Sequence, residues 1–152
     1  MVVLRRRRIG RFRLGARDKC RRRSRSDDQT IDFLRQCIAI DAPGSYRVEA
    51  AGYLVPGDTE GFIVVRYAFR YDSADCSGGM QASGNLFVFT PGEWQHATSI
   101  GLDVPAPLPP APTVEIVLSS YKETSGGAVE GYFDDVSLAN FDSIFADGFE
   151  GN

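Results

Sequence analysis

Two adjacent carboxylates near the end of the chain, Asp134 and Asp135, carry the clearest chemical signal in the sequence. They stand in the segment GYFDDVSL, residues 131–138, whose other members have a strand-like pattern. Side chains alternate between the two faces of a strand, so Asp134 shares a face with Val136 and Leu138. A carboxylate that faces a core needs backbone N–H groups, a cation or a metal as its partner. We therefore predict that Asp134 points inward and Asp135 outward.

Residues suited to catalysis are few. A Ser-His-Asp arrangement would have to be built around His96, because it is the only histidine. Its neighbourhood EWQHATS is, however, typical of an exposed strand. Acidic residues are plentiful, but no pair is marked by its context as the carboxylates of a glycosidase. A phosphate-binding glycine motif is also missing from the sequence. We predict that the chain is not an enzyme.

Aromatic rings beside hydrogen-bonding groups would suit the binding of a sugar, because sugars have apolar C–H faces and polar hydroxyls. The only tryptophan, Trp94, is the best single candidate, although a lone tryptophan in a β-sandwich more often belongs to the core. Tyr53 and Tyr121 are further candidates near the ends of strands, with the same two interpretations.

Charged residues on two strands supply the candidate polar groups. Arg66 and Arg70 lie on the non-core face of the longest predicted strand, and Arg47 and Glu49 lie on the matching face of another. If those two strands are neighbours, the four residues form a polar concave surface. Ordinary surface charge explains them equally well.

The elements that position these residues are short strands separated by turns. Alternating apolar residues and Gly or Pro punctuation recur along the chain, and no segment has a convincing helical period. This pattern predicts an all-β antiparallel sandwich, or jelly roll. The predicted strands are a first one that includes Cys37, whose start the pattern does not define, and residues 45–55, 61–72, 85–90, 93–100, 113–121 and 129–138.

Two connections between the strands have an unusual composition. Residues 72–84 form a polar, glycine-rich segment, which we predict to be a loop. Residues 104–112 hold five of the eight prolines. Because similar strand patterns lie on both sides, we predict that this segment is an extended crossover within one domain rather than a linker.

Charge divides the chain into two unlike parts. Residues 5–25 contain 12 of the 17 basic residues, whereas the chain from Asp27 onward has 5 basic and 19 acidic residues. We predict an arginine-rich, disordered segment at 1–28, a sandwich domain at 29–139 and an acidic, aromatic tail at 140–152. The first segment is either an arm for nucleic acid or a non-native start. It lacks the apolar run of a signal peptide, and no stretch is long and apolar enough to span a membrane.

The acidic part resembles the galactose-binding-like jelly rolls of secreted bacterial proteins, a group that includes carbohydrate-binding modules. The resemblance covers roughly residues 30–140 and is carried by QCIAIDAPGSYRVEA, the strand at 62–71 with the following SADCSGG, Trp94 and the terminal GYFDDVSL.

The resemblance implies a secreted or cell-surface module that binds a polysaccharide or a cell-surface glycan without catalysis. It also implies a Cys37–Cys76 disulfide and a structural calcium ion at Asp134. On the residues alone, Asp134 could instead accept backbone or arginine hydrogen bonds. An adhesion or structural sandwich without a small-molecule ligand is the alternative function, and nucleic-acid binding by the arginine-rich segment is a third. The tail at 140–152 would act as a packing clasp or as a sorting tag.

Overall fold

The computed structural model describes residues 9–12, 30–56, 61–122 and 129–140. Within these ranges the chain forms nine strands and no helix. The strands are β1 (Ile9–Phe12), β2 (Thr30–Ala39), β3 (Gly44–Leu54), β4 (Gly61–Tyr71), β5 (Gly79–Val88), β6 (Trp94–Thr98), β7 (Leu102–Val104), β8 (Thr113–Lys122) and β9 (Gly131–Asn140).

The strands form two antiparallel sheets. The five-stranded sheet has the order β1-β9-β3-β6, with β7 also paired to β3, and the four-stranded sheet has the order β2-β8-β4-β5. One of the connections that cross between the sheets is residues 105–112, which join β7 to β8 and include most of the proline-rich segment. The predicted all-β sandwich and the predicted crossover are both confirmed.

The core lies between the inner faces of the two sheets. In β4 the alternating residues Ile63, Val65, Tyr67 and Phe69 are buried, as their pattern predicts. The five-stranded sheet contributes apolar side chains that are almost fully shielded from solvent, namely Tyr46, Val48, Leu54, Val136 and Leu138.

A β-bulge in β9 changes the predicted orientation of Asp134. Ala51 pairs with Asp134 but Glu49 pairs with Ser137, so one more residue lies on β9 than on β3 between these pairs. Asp135 has a φ of 48° there, a left-handed conformation that Asp tolerates better than most residues. The extra residue shifts the alternation, and both acids are exposed. The prediction that Asp134 points inward is therefore wrong, whereas the outward position of Asp135 is confirmed.

Strand β5 begins earlier than the sequence indicates. Residues 79–84 were predicted to belong to a loop, but Gly79 pairs with Tyr71 and the ladder continues to the pair of Val88 and Ile63. The composition misleads here because β5 lies at the edge of the described sheet, where small and polar residues are tolerated. A register shift between Phe69 and Arg70 accommodates the start of the strand.

Two further strands lie where the sequence predicted none. Strand β7 is only three residues long, too short for a periodic pattern. Strand β1 falls within the arginine-rich segment, which was predicted to be disordered in isolation. Pairing with β9 supplies the backbone hydrogen-bond partners that these four residues lack by themselves. The remainder of that segment and the tail at 141–152 lie outside the described residues.

Candidate functional site

The outer face of the four-stranded sheet contains a polar groove with a volume of about 320 Å³. Strand alternation creates it, because Arg66 and Arg70 of β4 point away from the core and Arg66 pairs with Asn85 of β5. We refer to this concave site as the groove. Its lining residues are Arg35, Arg66, Tyr67, Ala68, Arg70, Ser83, Gly84, Asn85, Glu115 and Val117.

Glu115 links two of the arginines across the groove. Its Oε1 lies 3.1 Å from Arg35 Nε, and its Oε2 accepts a hydrogen bond from Arg70 Nη2 at 3.3 Å. The side chain of Glu115 is only 10% exposed, whereas that of Arg35 is 67% exposed. Arg70 Nη1 also donates to the carbonyl of Gly78 at 3.0 Å. These contacts fix the two guanidinium groups in a surface that a ligand can reach.

Arg66 is held by a second set of contacts beside the first. Its Nε donates to Ser119 Oγ at 3.1 Å, and its Nη2 forms an ion pair with Asp32. Ser119 Oγ in turn donates to Asp32 Oδ1 at 2.9 Å. The guanidinium plane of Arg66 is therefore oriented by partners on two neighbouring strands, β2 and β8.

Four aromatic rings continue the same face beyond the groove. Phe62 contacts Phe87, Phe89 and Tyr121, with ring centroids 5.4, 5.1 and 4.8 Å away, and Phe87 stacks on Phe89 at 5.1 Å. Phe87 is 40% exposed and Phe89 57% exposed. Phe87 lies two residues from Asn85 on β5, so these rings, which we call the aromatic patch, adjoin the groove.

A second group of rings lies on the outer face of the opposite sheet. Tyr53 pairs with Trp94 of β6 and with Tyr132 of β9, so three rings follow one another across three strands. The centroid of Tyr53 lies 5.6 Å from that of Trp94 and 6.2 Å from that of Tyr132. Trp94 is 49% exposed, which excludes the core interpretation. We call these three rings the ring row.

The structure thus divides the five predicted ligand-binding residues between two faces. Arg66, Arg70 and Tyr121 belong to the face of the groove, whereas Tyr53 and Trp94 belong to the ring row. No measurement tests binding by any of them, so these roles stay predictions.

The predicted concave surface that joins β3 to β4 does not exist. Arg47 and Glu49 lie on β3 in the five-stranded sheet, while Arg66 and Arg70 lie on β4 in the other sheet. The strands are adjacent in the chain but pack face to face, so their outward residues point in opposite directions.

Sequence reasoning missed several residues of this face. Arg35 lies on a strand whose start the sequence did not reveal, and Glu115 stands in the apolar run TVEIVL, where it is the single charge. Phe87 and Phe89 alternate with Leu86 and Val88 in NLFVFT. That uniformly apolar pattern hides which of the two sets faces outward.

The disulfide implied by the resemblance is present at one end of the groove. Cys37 and Cys76 are joined, with their Cα atoms 5.7 Å apart. Cys37 pairs with Glu115 in the ladder of β2 and β8, and Cys76 anchors the loop that precedes β5. The covalent bond therefore connects this loop to the strand beside Glu115.

The loop around Cys76 is further ordered by its own side chains. Asp75 accepts hydrogen bonds from Ser73 Oγ and from the Ser77 backbone N–H, the latter at 3.0 Å. Hydrogen bonds from Ser73 and then from Ser77 lower the pKa of the exposed Asp75 carboxyl from 3.8 to about 2. Asp75 is therefore ionised at all but strongly acidic pH.

In the described part of the chain, Asp134 does not belong to a cluster of acidic side chains. Asp134 is exposed, and its Oδ1 accepts a hydrogen bond from the Asp135 N–H at 2.8 Å. Within residues 9–12, 30–56, 61–122 and 129–140, no three or more His, Cys, Asp or Glu side chains form a group that could hold a metal. Calcium prefers six to eight oxygen ligands. Calcium binding at Asp134 stays a prediction that these residues do not support.

His96 lies exposed on β6, opposite Ala51 of β3, as its sequence context predicts. The residues that the structure describes include no helix that is long and apolar enough to cross a membrane.

Comparison with known proteins finds several solved structures that are similar to this chain, among them the following two. One is the structure of TmCBM61 in complex with β-1,4-galactotriose, with a TM-score of 0.46 and 20% identity over 74% of this chain and 66% of that chain. The other is the EclA C-terminal domain, a sugar-binding protein, with a TM-score of 0.45 and 14% identity over 79% of this chain and 76% of that chain. The match thus spans just under two thirds of the TmCBM61 chain. No protein-family model and no curated protein matches this sequence.

Proposed function

We propose that this domain is a non-catalytic module that binds carbohydrate on the outer face of its four-stranded sheet. The observation that carries the proposal is that the aromatic patch lies directly beside the polar groove. The exposed, stacked rings of Phe87 and Phe89 adjoin the groove, whose arginines and Asn85 offer hydrogen-bonding groups.

This combination matches the two-sided chemistry of a sugar. The C–H face of a pyranose gains by covering an aromatic ring, while each hydroxyl must replace the hydrogen bonds that it made with water. Arg66 and Arg70 are already held by protein partners, so little side-chain entropy is lost when a sugar binds. An extended glycan could therefore stack on the aromatic patch and place its next sugar units in the groove.

The ring row is the second candidate location. Its three rings lie on adjacent strands, and Trp94 is half exposed. Because Trp94 is the only tryptophan, its fluorescence reports on this face and not on the groove. A ligand that binds in the groove should leave that emission unchanged, whereas a ligand on the ring row should quench it.

A secreted or cell-surface location belongs to the same proposal. Disulfides persist in oxidising compartments and are rare in the cytosol, and the Cys37–Cys76 bond is part of this fold. A polysaccharide or cell-surface glycan is the partner that such a module would meet there.

The test is calorimetric titration with a panel of neutral and acidic oligosaccharides. We expect the double variant F87A/F89A to bind about fivefold to 150-fold more weakly, because each of the two aromatic stacking contacts contributes roughly 0.5–1.5 kcal/mol. The control is I100A, which removes an exposed apolar side chain that directly follows the β6 region of the opposite sheet and does not line the groove. A melting curve of each variant establishes that the sandwich is intact.

Three results would contradict the proposal in different ways. Equal binding by F87A/F89A and the wild type, together with quenching of Trp94, would move the site to the ring row. If no oligosaccharide in the panel binds, a structural or adhesion domain would be favoured. Affinity for nucleic acid that falls steeply with salt and disappears without residues 1–28 would assign the function to the arginine-rich segment.

A further inference from the structure

We propose that the groove selects glycans that carry an anionic group, the carboxylate of a uronic acid or a sulfate ester. This inference rests on the proposed function and specifies the class of ligand. It follows from the distribution of charge, from the ion pairs inside the groove and from the guanidinium N–H donors that these ion pairs do not use.

The distribution of basic residues is uneven. After Asp27 the chain has 5 basic residues against 19 acidic ones, yet three of the five, Arg35, Arg66 and Arg70, line this one groove. In this part of the chain, the excess of acidic residues would repel an anionic polymer away from the groove. Among the residues after Asp27, the groove is therefore the place where such a polymer can approach.

The two carboxylates that pair with these arginines do not neutralise them. Asp32 pairs with Arg66, and the single carboxylate of Glu115 is shared by Arg35 and Arg70. Three positive charges thus face two negative ones. Arg35 has the most exposed side chain of these ion pairs, so the uncompensated positive charge lies where a ligand can reach it.

The hydrogen-bonding capacity of the guanidinium groups is also incompletely used. Each guanidinium has five N–H donors. In the described residues Arg35 forms an ion pair through Nε, and the buried Nε of Arg70 has no acceptor. A carboxylate or sulfate adds acceptors of the required charge and can receive two parallel N–H bonds from one guanidinium. A neutral hydroxyl forms weaker bonds with the same donors.

The experiment compares ligands that differ mainly in charge. Oligogalacturonate and its methyl ester share one backbone, and the ester lacks the negative carboxylates. We expect the wild-type protein to bind the acid form at least about tenfold more tightly in calorimetric titration, with the difference shrinking as salt screens the charges. A sulfated oligosaccharide, tested beside its unsulfated form, distinguishes a preference for carboxylate from one for sulfate.

The variant R35Q tests the groove directly, because Arg35 is exposed and its loss leaves Arg70 paired with Glu115. R47Q is the matched control: it makes the same change of charge at an exposed arginine on the opposite sheet. We expect R35Q to weaken binding of the acid form about fivefold to tenfold and R47Q to leave it within about twofold.

The outcomes separate this inference from the proposed function. If the acid and ester forms bind equally well, or if only neutral glycans bind, the domain still binds carbohydrate but the inference about charge is wrong. If R35Q and R47Q weaken binding of the acid form equally, the attraction is a general effect of net charge and the groove is not its source. If no glycan binds, the proposed function itself fails.

Discussion

Replacing Cys37 and Cys76 together by alanine should lower the stability of the domain. As a separate effect, it should weaken the binding of acidic oligosaccharide in the groove. The two cysteines are 39 residues apart in the chain. The disulfide restricts the unfolded chain more strongly than the folded one, so its removal favours unfolding. The double variant is best made in a C20A background, which prevents thiol exchange with the third cysteine.

The size of the first effect follows from the length of the closed loop. In the chain-entropy model the bond removes 2.1 + 1.5R ln n cal/mol/K from the unfolded state, which for a separation of 39 residues is about 13 cal/mol/K. At 25 °C this corresponds to about 4 kcal/mol of the free energy of unfolding. Urea denaturation followed by circular dichroism, extrapolated to zero urea, measures the difference.

The second effect depends on what the disulfide holds in place. Cys76 anchors the loop that ends at Gly78, and the Gly78 carbonyl accepts a hydrogen bond from Arg70 at 3.0 Å. Without the bond to β2 this loop should move more freely, so the affinity for acidic oligosaccharide should fall even where the variant is fully folded. A loss of stability below about 1 kcal/mol would refute the chain-entropy reasoning. Unchanged affinity would refute the link between the loop and Arg70.

Three other predictions concern single residues. The exposed Asp75 has a pKa of about 2, below its usual 3.8, so its contribution to stability is present above pH 3.8 and is lost as the pH falls through 2. The difference in melting temperature between wild type and D75A should follow that course, and a difference that persists below pH 2 would contradict it. G84A should lower the free energy of unfolding by roughly 1–3 kcal/mol in urea denaturation, because its Cβ would lie 2.2 Å from Tyr67 Oη. G79A is the control and should be nearly neutral, because the atom nearest to a Cβ at Gly79 is 3.8 Å away. Adding excess calcium should leave the melting temperature unchanged, and an increase that D134N abolishes would establish a site at Asp134.

Much of the fold follows from alternation along single strands. The pattern of Ile63, Val65, Tyr67 and Phe69 identifies the buried face of β4, and therefore the outward position of Arg66 and Arg70. The same rule fails at Asp134, because a bulge depends on how β9 pairs with β3 and leaves no mark in the spacing of residues.

Which residues come together in the site was harder to predict than the direction in which each side chain points. Which strands share a sheet is decided by long-range pairing, so the sequence could not separate Arg47 from Arg66 or bring Arg35 to Glu115. An apolar run such as NLFVFT is also ambiguous, because exposed aromatic rings that bind a ligand have the same composition as rings that form a core.

The position of β5 at the sheet edge has a consequence for how this face of the domain meets other molecules. This edge strand has one row of backbone N–H and C=O groups that no described strand satisfies, and its last residues contain no charge. Many proteins protect such an edge with lysine or other charged residues, which hinder the addition of a strand from another molecule. A charge at Phe87 or Phe89 would give that protection here and would destroy the aromatic patch. Under the proposed function, Phe87 and Phe89 would be both the platform for a glycan and the uncharged end of this edge, so we expect a glycan bound there to hinder strand addition from another molecule.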